Sequence, residues 1–399
     1  MVSGIHRRMR MSRVLPHVLV GSGFVPPWIV LGALFVLAAI VVPESLSSNS
    51  LSAVLPLMTV LALAGLGEML VVMTGGIDLS IPGTMTLAAY LVVGISGGSN
   101  GHLATAIPLC LLYAAAIGLV NGFLVSFGRL NPLIVTLAIG QIVLGIATGY
   151  ANGLAAESAV PTDLSGLATS RFLNVTWIFW IGVAITVLLS LSLRNLAVGR
   201  RFQAAGANPR AAWMNGIHVR THVLFAYVGA SVLYAAAGLL LAALINNPSL
   251  DIGSPYLLGP IAAVVIGGAS LAGGLASVTS TWAAAFALTL LSQILRVLGF
   301  STALQYVVFG VAIAAGMVIS GDRIVGLVGG FRAHGGSSSD QPVTGPVDSQ
   351  DENDAQGGGV PPNQGAATTN EREPPGLAES ASRAAPPDVQ RLEVRGQVS

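Results

Sequence analysis

Long stretches without a charged side chain constrain this chain more than any other feature. Residues 79–128 run for 50 positions, and residues 252–295 for 44, without an Asp, Glu, Lys or Arg. Glu44 and Glu68 are separated by 23 uncharged residues, Arg129 and Glu157 by 27, Arg171 and Arg194 by 22, and Arg220 and Asp251 by 30. A helix that crosses a bilayer needs about 20 mostly apolar residues, so each shorter gap accommodates one. The first long run is punctuated by Ser96-Gly97-Gly98-Ser99-Asn100-Gly101, the second by Gly267-Gly268 and Gly273-Gly274, and each accommodates two. With apolar stretches near residues 27–42 and 303–320, the sequence predicts ten segments, of which the eighth, near 256–271, is short and carries Pro260. The implied class is all-α, a polytopic membrane protein of about ten transmembrane helices.

Only 9% of the residues are charged, against about 25% in soluble domains, which argues against a soluble enzyme. All 18 basic residues are arginine. Without lysine there is no Schiff-base chemistry and no GxxxxGK[ST] phosphate loop, so energy for any active process has to come from elsewhere. The single cysteine, Cys110, excludes an internal disulfide and a multi-cysteine metal site and reads as a packing residue. No catalytic residue, metal, cofactor or nucleic-acid partner is expected.

The charges divide the chain. Residues 1–334 hold 14 Arg against 7 acidic residues, and residues 335–399 hold 4 against 10. The second part is poor in aromatic and large aliphatic residues, so it cannot bury enough apolar surface to offset ordering entropy. The division expected is a cytoplasmic segment over 1–26, a transmembrane domain over 27–331 and a disordered cytoplasmic tail over 332–399. Arg7, Arg8, Arg10 and Arg13 precede an apolar core as in a secretory signal. That core is too long, however, and runs into Val42-Pro43-Glu44 without a small-residue cleavage site, so it reads as a retained first helix. Ten spans with the N-terminus inside place 12 of the 14 arginines of residues 1–334 in the cytoplasm and leave only Arg171 and Arg296 outside, the bias expected of inserted helices. GxxxG spacings at Gly118 with Gly122 and Gly145 with Gly149 permit close backbone approach, or reflect only the abundance of small residues in such helices.

The apolar pattern breaks in two places. Residues 67–80, GEMLVVMTGGIDLS, place Glu68 within a hydrophobic span and end it at Gly75-Gly76, followed by Asp78 and Ser80. A charge at the bilayer centre costs about 2.5–3.5 kcal/mol on insertion scales, so such residues face a bundle interior or an aqueous path, and a broken helix needs partners for its freed backbone groups. This is either a hinge and polar lining of a conduit for a neutral, hydroxyl-rich solute, or a tight turn with Asp78 as N-cap and Glu68 as a protonated or interhelically bonded structural residue. The second break, residues 194–220, carries Arg194, Arg200, Arg201, Arg210 and Arg220 and no acidic residue. Within it Asn208 is placed as an N-cap, Pro209 at the first helical position and Gly216 as left-handed terminator of a short helix. Trp213 and Met214 on so short a helix need burial, either in a groove of a partner protein or on the membrane surface beside anionic lipid.

At these same places the chain resembles the membrane permease subunits of bacterial ATP-binding-cassette (ABC) sugar importers of the ribose, xylose and galactose type. The family's GGIDLS segment appears as Gly75-Gly76-Ile77-Asp78-Leu79-Ser80. It is followed in order by Asn131-Pro132-Leu133-Ile134-Val135-Thr136-Leu137, by the loop from Gly199-Arg200-Arg201 through Gly206 to Gly216-Ile217, and by residues 262–274, which include Gly267-Gly268. The likeness covers roughly residues 30–325. Pro82 departs from it, standing where relatives often have a small residue, and the tail from Gly335 has no counterpart.

The resemblance implies a non-catalytic subunit that forms the path for a monosaccharide or related polyol in a bacterial plasma membrane. It implies a homodimer or a heterodimer with a similar permease, cytoplasmic ATPase subunits docked on the loop that carries the Asn208–Gly216 helix, and a soluble substrate-binding protein outside. Glu68, Gly75, Gly76, Asp78, Ser80, Gly267 and Gly268 are the candidate path and hinge residues. Gly199, Arg200, Arg201, Gly206, Asn208, Pro209, Arg210, Trp213 and Gly216 are the candidate ATPase-coupling residues. Variants of this reading are import of a nucleoside or sugar-like signal molecule. The rival from another class is an ion-coupled secondary transporter in which Glu68 titrates; a scaffold without a solute is a third.

Overall fold

The helix Ser48–Met73, α2, is apolar on every side, and each of its side chains from Met58 to Met73 is buried. A helix of this kind must be enclosed by protein. In the computed structural model α2 is wrapped by α7 (Trp177–Asn195), α10 (Val219–Ile245), α11 (Leu258–Ile266) and α12 (Val278–Val297). The second organising helix is α10, which also packs on α3 (Ile81–Ser96) and α4 (Leu103–Ser126). Around this centre α1 (Pro26–Val41) lies on α12, α5 (Pro132–Asn152) on α3 and α4, and α13 (Thr302–Ser320) on α11. The structure describes residues 26–154 and 159–320. The N-terminal arginines, Glu157, Arg323, Arg332 and the acidic tail of the sequence reading lie outside these.

Among the described residues six helices are long and apolar enough to cross a membrane: Ser48–Met73, Asn100–Ser126, Pro132–Asn152, Trp177–Asn195, Val219–Ile245 and Val278–Val297. Four shorter apolar helices begin near residues 27, 81, 254 and 302. Outward faces carry exposed large apolar residues, among them Ile40 on α1, Leu112 on α4, Ile134 on α5 and Leu188 on α7. Exposed apolar surface on this scale suits lipid rather than water.

Of the two GxxxG pairs, the first marks a close crossing. A Cβ at Gly118 or Gly122 would run into the backbone of α10 at Tyr227, Val228 or Leu224, whereas Gly145 and Gly149 have nothing within 4 Å. Cys110 is buried among apolar neighbours. Pro82 falls in the first turn of α3, where its missing N–H has no helical acceptor to lose, so it leaves the helix unkinked.

The eighth segment is half helix. After nine residues α11 stops at Ile266, and residues 267–277 continue without helix to α12. Irregular backbone at such depth is tolerated where protein covers it, and here α2 and the 197–207 region provide that cover. The loop between α5 and α7 adds α6 (Thr162–Thr169) and a small antiparallel hairpin of β1 (Arg171–Phe172) and β2 (Val175–Thr176). Its turn holds Leu173 and Asn174 at φ +52° and +63°, the two-residue geometry that matches strand twist. That hairpin is the addition to the all-α expectation among the described residues.

Candidate functional site

Both glycine pairs singled out in the sequence are helix terminators of one type. At the end of α2, Gly75 has φ +81°, its N–H donates to Val72 O (2.9 Å), and the Gly76 N–H donates to Val71 O (3.2 Å). At the end of α11, Gly268 has φ +80°, its N–H donates to Val265 O (3.0 Å), and the Ala269 N–H donates to Val264 O (3.2 Å). Each is a Schellman end, in which a left-handed residue turns the chain back on its own last carbonyls. Gly76 is constrained differently, because a Cβ there would lie 2.5 Å from the Tyr227 hydroxyl.

The two terminated strands of chain meet, and a third element closes on them. The Gly274 N–H donates to the Met73 carbonyl at 2.9 Å. Gly206 packs so tightly on Met73 O that a Cβ would collide with it, and one at Gly273 (φ +97°) would lie 2.7 Å from Gly206 O. Gly206 belongs to α8 (Ala197–Ala207), a helix in the arginine-rich loop that sequence reasoning missed. Gly199, Phe202, Ala205 and Gly206 form its buried face while Arg200 and Arg201 point outward. Gly206 is therefore an internal contact rather than part of an outward-facing surface.

From α8 the chain passes through Asn208 into α9 (Pro209–Met214). The Asn208 side chain accepts from the Ala211 N–H (3.0 Å), Pro209 opens the helix, and Gly216 at φ +76° closes it with bonds to Trp213 O and, from Ile217, to Ala212 O. Trp213 and Met214 are 72% and 76% exposed. Arg210 and Trp213 line a cleft of about 700 Å³ with Phe127, Arg129, His218 and Arg220, and no acidic side chain contributes to it.

Glu68 is wholly buried at the other side of the α2 end. Its carboxylate accepts the Asp78 backbone N–H (3.2 and 3.3 Å to the two oxygens) and the Tyr234 hydroxyl (3.0 Å). Gly67 makes room for Tyr234, since a Cβ there would lie 2.5 Å from its ring. Asp78 Oδ1 accepts the Ser80 N–H (2.8 Å) and hydroxyl (2.6 Å), and Asn121 Nδ2 donates to Ser80 Oγ (3.0 Å). Thr136 Oγ1 accepts the Leu79 N–H at 2.9 Å. The residue at the N-cap of α3 is Ser80, without a side-chain cap bond; Asp78, two positions earlier, makes an Asx turn on it. The sequence signals for Asn121, Tyr227 and Tyr234 were slight, isolated polar groups within apolar spans, whereas Thr136 lies in the Asn131–Leu137 motif but carried no assigned role.

This arrangement is a membrane bundle with two glycine-broken helices, locked by buried hydrogen bonds and touched by the short helices α8 and α9. The described residues include no cluster of His, Cys, Asp and Glu able to hold a metal. Residues 50–316 match the family described as branched-chain amino acid transport system / permease component, and the chain belongs to that family. It is thus a multi-pass membrane permease. It is 32% identical over 297 residues to the ribose import permease protein RbsC of Escherichia coli K12, covering 73% of this chain and 92% of that one. Against the protein of the same name from Bacillus subtilis the identity is 30% over 303 residues, 73% of this chain and 91% of the relative. Against the L-arabinose ABC transporter permease protein AraH of Azospirillum brasilense it is 29% over 304 residues, 72% and 84%. No solved structure matches the chain.

Proposed function

We propose that this chain forms the translocation path of an ATP-driven importer for a monosaccharide or related polyol and that its motor is a separate ATPase. In this reading about ten segments cross a bacterial plasma membrane, both termini are cytoplasmic, and residues 27–331 make up the transmembrane domain between a short N-terminal segment and a C-terminal tail. Two permease subunits, identical or similar, flank one path, lipid covers the exposed apolar faces, and an external binding protein delivers the sugar. The names of the ribose and arabinose relatives support the substrate class, and the absence of lysine from this chain supports the division of labour.

The observation that carries the proposal is the junction of Gly206 with Met73 and Gly273-Gly274. The arginine-bearing α8–α9 pair, with Gly199, Arg200, Arg201, Asn208, Pro209, Arg210 and Gly216 shaping it, presents Trp213 to the ATPase. A push on α9 reaches α8 and passes through backbone contact at Gly206 to two helices that both end in left-handed glycines. Glu68, Asp78 and Ser80 keep the α2–α3 break in register beside Gly75-Gly76, and Gly267-Gly268 serve the same purpose after α11. These are hinge residues of the path.

Trp213→Ala tests the docking. The side chain is exposed, so stability should change by no more than about 0.5 kcal/mol. Loss of a buried aromatic anchor costs about 2 kcal/mol or more in binding, so co-purification of the ATPase should fall at least tenfold. Retained co-purification would place the docking surface elsewhere. Gly206→Leu, which cannot fit against Met73, should weaken both the fold and the complex.

A further inference from the structure

At the end of the bundle opposite α8 and α9, helices α2, α12 and α13 and the 3-10 turn before α11 (Ser254–Tyr256) enclose a cavity of about 130 Å³. Its surroundings are apolar helices, yet Tyr256, Ser292, Arg296, Thr302 and Gln305 all line it. Gln305 is the informative member. It is 8% exposed, its amide makes no hydrogen bond among the described residues, and the side chain lines the cavity, so the amide is free to bind what enters it. Leu57, Leu61 and Phe309 supply an apolar wall. A small concave site with one apolar face and a few converging polar groups is the usual form of a small-molecule site.

The lining also selects a ligand chemistry. Arg296 is the one charged side chain in it, which disfavours a cation. An anion would use donors only and leave the Gln305 carbonyl and the hydroxyl lone pairs unmatched, whereas a hydroxyl donates and accepts at once and matches amide, hydroxyl and guanidinium together. Resting on the functional reading above, we propose that this cavity is a sugar subsite of the path on the side from which the solute enters, with Gln305 and Arg296 as its specificity-determining residues.

The test uses the complete transporter, permease with ATPase and binding protein, supplied with D-ribose, L-arabinose and D-galactose. Gln305→Ala and Arg296→Gln should lower uptake of whichever sugar the wild type carries at least tenfold, while the sugar-loaded binding protein still stimulates ATP turnover to within twofold of wild type. Thr302→Cys gives a second readout, because the native Cys110 is buried and the exposed position 302 is the cavity rim. A membrane-impermeant thiol reagent added outside should block its uptake, and saturating loaded binding protein should slow labelling severalfold. Unchanged uptake in both substitution variants, equal loss of uptake and stimulated turnover, or labelling that leaves transport intact would each overturn the subsite. Absence of ATP-dependent uptake in the wild type would instead overturn the functional reading, and is distinguished because it is seen before any variant is compared.

Discussion

Glu68 and Tyr234 stand 166 positions apart in the chain and share one buried hydrogen bond. The carboxylate was legible as an anomaly, since it interrupts an apolar span, but its partners were not. Tyr234 is one aromatic residue in a long uncharged run, and only the packing of α10 on α2, permitted by Gly67, brings it to the carboxylate. Asp78 shows the same limit, because its type suited an N-cap and its position two residues before Ser80 makes it an Asx turn. Removing the Tyr234 hydroxyl leaves a buried carboxyl oxygen short of a donor, and an unsatisfied buried polar group costs about 1–3 kcal/mol. Tyr234→Phe should therefore lower thermal stability of the purified protein by that amount, measured by unfolding in detergent. An unchanged midpoint would mean that the network does not hold the α2–α3 break.

Among the elements, those with local punctuation were legible. Asn208, Pro209 and Gly216 delimit α9 in the sequence as they do in the structure, and the glycine pairs end α2 and α11 because only a residue tolerant of positive φ makes a Schellman turn. Helix α8 escaped notice. Its residues, AVGRRFQAAGA, read as an arginine-rich loop, and what makes it a helix is burial of Phe202, Ala205 and Gly206 against distant elements. The half-helical eighth segment was foreshadowed by its shortness and Pro260, but the irregular chain after it depends on contacts with Met73 and Gly206. A Cβ at Gly75 meets no close neighbour, the nearest atom being Ala272 O at 3.6 Å, so its constraint is conformational. Gly75→Ala should cost about 1–2 kcal/mol, while Gly145→Ala, in a helix interior with open space, should be neutral or stabilising by up to about 1 kcal/mol. Equal effects at the two positions, read by thermal unfolding, would contradict the assignment of Gly75 as a terminator.

For the whole molecule, hydropathy made the bundle legible and left its internal arrangement open. Uncharged runs located the helices, but not the central placement of α2 or the convergence of both breaks on α8. The proposed orientation of the bundle rests on the arginine distribution. Because Cys110 is buried, single cysteines report sidedness without removing it. Arg171→Cys in intact cells should react with an impermeant reagent, and Arg210→Cys should react only after permeabilisation. The reverse pattern would invert the proposed topology and put α9 on the wrong side for an ATPase.

Sugar uptake measured in cells under two separate treatments bears most directly on the claim that an external motor drives this path. Dissipating the proton gradient while ATP is maintained should leave uptake at its normal rate, and deleting the partner ATPase should abolish it. Uptake that collapses with the gradient and persists without the ATPase would contradict the account.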